Sequence, residues 1–292
     1  MCTAFVSIEP TRPVPVLLLA VRDEYAGRRW APPGHHWPAH PTAVGGLDLA
    51  AGGTWLAVEP ATAGTAGTAG TAAAAGTVGA AGTVGAAGTG AGAAAACLLN
   101  GFGSMAPARA RLSRGELPLT ALRDGGLAGV DLERYDPFHL VLAGPAGARV
   151  LSWGGSALTE RALPSGLSVV LNDGLEGLAE DRTTSALVRS LMAARAAHFR
   201  ARFEAAARPS PTPGPAPTER AWGAWLPIVS GDGLALDDPA ALIQRREFGD
   251  GRIWGSSSVS LLAFGPDGVR YDFGPAPVTE PGRPGEGWRR IR

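Results

Sequence analysis

The N-terminal stretch MCTAFVSIEPTRPVPVLLLAVRDE, residues 1–24, contains the pattern that decides the fold. Thr3–Ile8 alternates and is rich in β-forming side chains, residues 10–13 begin and end with proline, and residues 14–21 form a continuous apolar run of strand length. Proline in the first positions of such a run suits the start of a strand. We therefore predict a β-hairpin that carries the N-terminus.

Further strands are predicted along the rest of the chain. Residues 30–40 are rich in proline and histidine and predict an irregular loop, residues 45–48 predict a turn into a strand at 52–58, and strand character returns at 97–99. Five later segments have strand length and composition, namely residues 138–143, 149–153, 167–171, 258–264 and 269–273. The last two flank Gly265-Pro266-Asp267-Gly268, which is typical of a hairpin turn.

Helices are predicted between these groups of strands. Residues 183–206 predict a long helix, because apolar side chains recur there at helical spacing. These side chains are Leu187, Leu191, Phe199 and Phe203. A shorter helix is predicted to begin at Pro239 behind Asp238 as its N-cap. Strands at both ends with helices between them indicate the α+β class.

Two low-complexity segments interrupt the predicted domain. Residues 61–96 contain only Ala, Gly, Thr and Val, and residues 208–218 are rich in proline. Side chains this small cannot offset an ordering cost of about 1–2 kcal/mol per residue, so we expect a mobile insertion at 61–96. We expect a single domain over residues 1–274, with 208–218 as a linker and 275–292 as a tail.

Composition excludes several classes of function. The 26 basic and 26 acidic residues balance, so the sequence predicts no nucleic-acid partner. Every basic residue is arginine. Two cysteines, Cys2 and Cys97, cannot form a disulfide framework. The run at 14–21 is too short to cross a bilayer and is not a signal peptide, so we expect a cytoplasmic protein without stable membrane insertion.

Cys2 is the best candidate for a reactive group. It follows the initiator methionine, whose removal before a small residue would give a chain that begins with cysteine. One residue would then carry a thiol and an α-amine whose reference pKa is about 7.7–8.0. An N-terminal amine can activate a neighbouring nucleophile. The sequence therefore predicts a candidate nucleophile at Cys2, and the alternative is a small residue without function.

Motifs in the first 60 residues resemble those of the NRDE family, the group that includes the animal transport and Golgi organisation protein 2. Met1-Cys2 before a β-rich run and Val21-Arg22-Asp23-Glu24 at a strand end resemble the motif that names the family, although the position of Val21 is usually Asn. Gly45-Gly46-Leu47-Asp48 and Gly52-Gly53-Thr54-Trp55-Leu56 resemble its second motif. Leu98-Leu99-Asn100 and the segment from Gly166 to Asn172 are similar to later family segments.

The resemblance implies a four-layer αββα sandwich similar to that of N-terminal nucleophile hydrolases. By analogy with the cysteine branch of those enzymes, Arg22 and Asp23 match residues that orient the nucleophile and hold its amine. Asn100 matches an oxyanion-hole amide, and Asn172 joins the predicted catalytic set. The chemistry is coherent, since an arginine favours a thiolate and an amide can donate to an oxyanion.

Three functions remain open at this point. The first is a cysteine hydrolase of a non-peptide carbon–nitrogen bond. The second, also implied by the family, is a non-catalytic carrier of a hydrophobic ligand such as haem or an acyl lipid. The third is an inactive member with an intact fold, favoured by Gly255-Ser256-Ser257-Ser258 where the family usually has an arginine; Arg252 is the nearest basic residue.

Neither a metal nor another cofactor is predicted. The adjacent His35 and His36 point apart on an extended chain, and no acidic or cysteine partner accompanies them or His40. Gly52 and Gly53 are interpreted as a bulge or tight turn beside a packed tryptophan rather than as a close approach to a ligand. The expected partner is a small-molecule ligand or substrate, and the sequence leaves the oligomeric state open.

Overall fold

A computed structural model describes residues 2–60, 94–177, 184–276 and 287–292. The strands in these ranges are β1 (Thr3–Ile8), β2 (Val16–Tyr25), β3 (Trp30–Gly34), β4 (Val44–Asp48), β5 (Leu56–Glu59), β6 (Ala94–Asn100), β7 (Phe138–Gly144), β8 (Gly147–Trp153), β9 (Leu158–Ala162), β10 (Gly166–Leu171), β11 (Gly174–Leu175), β12 (Arg245–Glu247), β13 (Ile253–Gly265), β14 (Gly268–Pro275) and β15 (Arg289–Arg290). The helices are α1 (Leu117–Asp124), α2 (Ala186–Ala205), α3 (Thr218–Trp222) and α4 (Trp225–Val229). The predicted α+β class is confirmed.

The first sheet is built around the N-terminal hairpin. Its strand order is β11-β10-β1-β2-β13-β14-β15, with β12 paired to β13. Thr3 pairs with Val21 and Ile8 pairs with Val16, so the predicted hairpin is confirmed. β10 flanks the other side of β1 and places Leu171 opposite Thr3. The N-terminal strand is therefore central, with hydrogen-bonded neighbours on both sides.

The second sheet is an antiparallel meander. Its strand order is β3-β4-β5-β6-β7-β8-β9, the same as the order along the chain. Consecutive antiparallel pairing needs only short connections, although the link from β5 to β6 contains residues 61–93, which lie outside the described part of the chain. The insertion predicted at 61–96 thus falls mostly on residues that are not described. Its last three residues, 94–96, begin β6.

Three of the four hydrophobic clusters among the described residues join the layers of the fold. One lies between the two sheets and includes Ala4 and Val6 of β1. A second joins the outer face of the first sheet to α2, α3 and α4, and Phe5 belongs to it. A third joins α1 to the outer face of the second sheet. The alternating side chains of β1 are buried on both faces, and full burial of one such side chain contributes about 1.5–3 kcal/mol.

Two predictions between residues 30 and 48 were wrong. The expected loop contains β3, and the expected turn is β4. β3 tolerates its prolines because it is an edge strand whose pairing shifts register between Ala31 and Gly34. β4 needs its glycines, because a Cβ added at Gly45 would lie 2.3 Å from the Leu56 carbonyl oxygen.

The helix predictions were partly right. The long helix is confirmed as α2, and the Ser185 side chain accepts a hydrogen bond from the Val188 backbone N–H at its start. Leu187 is 70% exposed, so its predicted place on the apolar face was wrong. The helix predicted at Pro239 is a turn, in which the Asp238 carboxylate accepts from the Ala240 N–H at 2.7 Å. The capping interaction therefore forms without a helix behind it.

The proline-rich segment and the C-terminal residues both contact the first sheet. Arg208 donates to the Ser7 hydroxyl at 2.8 Å and to the Val14 carbonyl at 2.9 Å. β15 pairs with β14 through Arg289 and Arg290. None of the helices in the described residues is long and apolar enough to span a membrane.

Candidate functional site

Sheet pairing places the candidate nucleophile between two other predicted residues. Thr3 pairs with Val21 on one side and Leu171 on the other. The preceding residue, Cys2, therefore lies between Arg22 and Asn172. Its Sγ is 3.6 Å from the carbonyl oxygen of Asp23, to which the thiol donates. β1, β2 and β10 thus bring four of the five predicted site residues into one neighbourhood.

The thiol opens onto a cavity of about 480 Å³ at the edge of the inter-sheet layer. Asn100, the fifth predicted residue, lines the same cavity from the end of β6 in the second sheet. Most of the other lining residues come from β2, the β4–β5 region and the segment before α1. The full set of other lining residues is Arg22, Asp23, Glu24, Arg28, Asp48, Ala51, Thr54, Trp55, Leu98, Arg111, Leu112, Ser113, Arg114, Gly115 and Asp136.

Arg22 faces this cavity from β2 and is fixed by several partners. One guanidinium nitrogen donates to the Ser257 hydroxyl at 3.0 Å, and the group stacks 4.4 Å from the centroid of the Trp55 ring. Its other terminal nitrogen is 3.4 Å from Glu24 and 3.9 Å from Asp48. Cation–π stacking and paired carboxylates stabilise a buried guanidinium. Arg22 is therefore a held positive charge beside the thiol.

Asp23 points to the opposite face of the sheet, as alternation along a strand requires. Its carboxylate is fully buried and accepts from the Ser256 hydroxyl at 2.6 Å and from the Gln244 side chain at 2.5 Å. Arg195 of α2 lies 3.6 Å from the same carboxylate and also donates to the Thr3 hydroxyl at 3.1 Å. The carboxylate thus connects the strand next to Cys2 to a buried arginine.

Arg195 is a residue that the sequence interpretation missed. It occupies the buried face of α2, four residues before Phe199 and eight before Phe203, and only 1% of it is exposed. An arginine in register with buried aromatic residues on a helix is the signal that could have found it. Arg195 therefore reaches the neighbourhood of the site from α2. The family's usual arginine lies elsewhere, before the last strand pair, where this chain has serines.

The serine run that replaces that arginine has its own structural role. Pairing between β13 and β2 shifts register between Ser256 and Ser258, so the strand bulges at Ser257. The Ser257 hydroxyl accepts from the Arg22 side chain and also donates to the Arg22 carbonyl at 3.1 Å. A bulge can re-aim side chains next to a site. Here it directs two hydroxyl groups toward consecutive residues of β2.

The buried environment of Cys2 keeps its thiol protonated. Burial raises the pKa of the Cys2 thiol above its ordinary value, and the Asp23 carboxylate acts in the same direction, whereas Arg22 opposes it. Burial also lowers the pKa of the Arg22 guanidinium, and the neighbouring carboxylate of Glu24 works against that shift. The resting form at neutral pH is therefore the thiol, and a base is needed before the sulfur can act as a nucleophile.

Asn100 and Asn172 are joined to each other. The Asn172 side-chain amide donates to the Asn100 carbonyl at 2.6 Å. Within the described residues, the buried Oδ1 of Asn172 has no hydrogen-bond partner. His139 of β7 lies 3.3 Å from the Asn172 carbonyl and so connects the two sheets at this point. Asn100 therefore lines the cavity, and Asn172 supports it from behind without lining the cavity itself.

The second cysteine lies in a different environment. Cys97 is 4% exposed on β6, and burial raises the pKa of its thiol. Among the described residues, no group of three or more His, Cys, Asp and Glu side chains could hold a metal ion. His36 instead pairs with the Pro32 carbonyl at 2.8 Å.

Comparison with protein families matches residues 1–68 to the family described as Transport and Golgi organisation 2. The match covers 68 of the 292 residues and lies at the N-terminal end of the chain. The match contains Cys2, Arg22 and Asp23, whereas Asn100, Asn172 and Arg195 lie beyond it. Comparison with curated proteins gives no match. The NRDE resemblance of the N-terminal motifs is thereby confirmed over residues 1–68.

Proposed function

We propose that this protein is a member of the Transport and Golgi organisation 2 family and acts as a cysteine hydrolase of a non-peptide carbon–nitrogen bond, with Cys2 as its nucleophile. The observation that carries the proposal is the meeting of the Cys2 thiol, the Arg22 guanidinium and Asn100 in one cavity. The order of the packed clusters, helix, sheet, sheet, helix, supports a four-layer fold like that of N-terminal nucleophile hydrolases. Fold likeness alone would not establish an activity.

The reaction begins with proton transfer from the thiol. After removal of Met1, the α-amine of Cys2 takes the thiol proton, and the sulfur bonds to the carbonyl carbon of an amide. The carbonyl electrons move to oxygen and give a tetrahedral oxyanion, which then collapses as the carbon–nitrogen bond breaks. The leaving amine takes the proton from the ammonium group. Water hydrolyses the thioester, which releases a carboxylic acid and restores the thiol.

The neighbouring residues have separate roles in this scheme. The Asn100 side-chain amide donates to the oxyanion, and the Arg22 guanidinium stabilises the sulfur as it becomes negative. Asn172 does not line the cavity, and its side-chain amide positions Asn100 by donating to the Asn100 carbonyl at 2.6 Å. Asp23, held by Ser256 and Gln244, positions the strand that carries Arg22 and orients the α-amine by charge.

The charged lining bears on the alternative of a hydrophobic ligand. Four arginines and four acidic residues line this cavity within the described part of the chain. Desolvating such groups against haem or an acyl chain is unfavourable. A polar amide substrate fits the same lining better.

Thiol labelling tests the proposal. Intact mass should show that Met1 is removed, and iodoacetamide at neutral pH should alkylate Cys2 before the buried Cys97, which serves as the internal control. The chain has no lysine, so an acetylating reagent should modify one amine, and that modification should slow alkylation of Cys2. Faster labelling of Cys97, or an unchanged Cys2 rate after acetylation, would contradict the proposed nucleophile. Hydrolysis of amides should be lost in Cys2→Ala.

A further inference from the structure

We propose that Arg114 forms a subsite for a carboxylate of the substrate, so that the preferred amides are N-acyl amino acids and their homologues. This inference rests on the proposed hydrolase function and specifies its substrate class. Arg114 lines the same cavity as Cys2. It lies in the short 3-10 turn Arg114–Glu116, immediately before α1. The argument depends on which charges in the cavity are already paired.

Each carboxylate that lines the cavity already has an arginine partner. Asp136 lies 3.0 Å from Arg111, and Asp48 lies 2.8 Å from Arg28. Glu24 lies 3.4 Å from Arg22. Asp23, the fourth acidic residue of the lining, turns its carboxylate to the helix side of the sheet, where Arg195 lies 3.6 Å away. Four carboxylates therefore engage four different arginines.

Arg114 is the cavity-lining arginine that pairs with none of these four carboxylates. Among the described residues it has no carboxylate within 4.0 Å, and its Nη1 donates to the Pro137 carbonyl at 2.7 Å. A guanidinium carries five N–H donors, so the fork retains donors for a ligand. Burial also lowers the pKa of this guanidinium, while the nearest negative groups oppose the change. One positive charge is thus in excess beside the thiol.

A close backbone contact fixes the position of Arg114. The Gly115 carbonyl accepts from the Thr54 N–H at 2.8 Å, and a Cβ added at Gly53 would lie 2.3 Å from the Gly115 carbonyl carbon. Only glycine allows the two backbones to approach so closely. The glycines before Thr54 therefore dock the segment that carries Arg114 onto the cavity wall, which preorganises the guanidinium for binding.

The charge balance indicates a monoanion. A single excess cation matches one carboxylate, whereas a phosphate dianion would leave a negative charge facing Glu24 and Asp136. The planar fork of arginine also fits the two oxygens of a carboxylate. Since Arg114 and Cys2 share one cavity, a ligand bound through its carboxylate places a nearby acyl amide against the thiol.

Binding to a chain that cannot turn over tests the subsite separately from the reaction. The full-length Cys2→Ala variant would be titrated by calorimetry with N-acetylglycine, N-acetyl-β-alanine and N-acetyl-4-aminobutyrate, each compared with its neutral primary amide. At least one acid should bind roughly tenfold to a hundredfold more tightly than its amide, the usual strength of a charge-assisted pair. Arg114→Gln should abolish that preference, and Arg114→Lys should retain part of it.

Arg28→Gln is the matched control, because it removes a cavity arginine that already has a carboxylate partner. It should leave the preference for the acid intact. Equal binding of acid and amide across the series, or an equal loss of preference in Arg28→Gln, would overturn the subsite. Arg114-dependent preference in a wild-type chain that hydrolyses none of these compounds would support the subsite and overturn the hydrolase proposal. Melting curves would confirm that the Arg114→Lys variant, at least, is folded.

Discussion

Acidification should destabilise the protein through His139, which joins the two sheets. The side chain is 6% exposed. The Asn172 carbonyl can only accept, so Nε2 of His139 carries the proton and donates at 3.3 Å, while Nδ1 accepts from the Ser152 hydroxyl at 2.8 Å. Both contacts suit the neutral ring. Burial accordingly lowers the pKa of His139 from 6.5 to about 4.

The sign and size of the effect follow from linkage. Because the pKa is lower in the folded chain, the unfolded chain binds the proton first as the pH falls. The stabilisation is complete above about pH 6.5, declines between about 6.5 and 4, and changes no further below that range. Integrating between these pH values shows how much the free energy of unfolding falls. The decrease is about 2 kcal/mol at about pH 5 and about 3 kcal/mol at the acid limit.

Urea unfolding at about pH 7.5 and about pH 5 would measure this loss, with His139→Gln as the perturbation. Between the two pH values, the free energy of unfolding should fall by about 2 kcal/mol more in the wild-type chain than in the variant. Exposed His35 supplies the control, since His35→Gln should keep the wild-type pH dependence. If the wild type and His139→Gln lose equal stability on acidification, the ring is not held neutral and the argument fails.

Two further substitutions test how the site is built. Gly53→Ala should lower the melting temperature by several degrees, because a Cβ there would meet the Gly115 backbone at 2.3 Å and overpacking typically costs about 1–3 kcal/mol. Gly27→Ala is the control and should leave the melting temperature unchanged, because the space around its added Cβ is open. Asp23→Asn should destabilise the fold by about 3–5 kcal/mol, because Arg195 would stay buried without its carboxylate. A melting temperature within a degree or so of wild type would refute either expectation.

Local patterns predicted most of the strands and the hairpin at the N-terminus. Alternation and a continuous apolar run are properties of neighbouring residues, so β1 and β2 follow from residues 1–24 alone. β4 was missed because glycine is depleted in strands, and Gly45 is selected there by its contact with the Leu56 backbone. Such a contact between strands is invisible in a local window of sequence.

The site was predictable only where motifs lie close together. Cys2, Arg22 and Asp23 belong to one hairpin, so their proximity follows from its register. The position of Asn172 depends on pairing between β1 and β10, which are far apart in the chain. Arg195 reaches Asp23 from a helix more than 170 residues away. Non-local packing of this kind is set by the whole core, and no short pattern encodes it.

Arg22 and Asp23 are adjacent in sequence and yet face different layers. The two residues therefore connect the site to separate parts of the chain. In the proposed hydrolase, reactivity of the thiol would depend on the first sheet and α2, through Asp23 and Arg195. Recognition at the proposed subsite would depend on the segment from 111 to 115, which lines the same cavity. Under these two proposals, substitutions in one short segment would change the preferred substrate and leave the residues that support the proposed nucleophile unchanged.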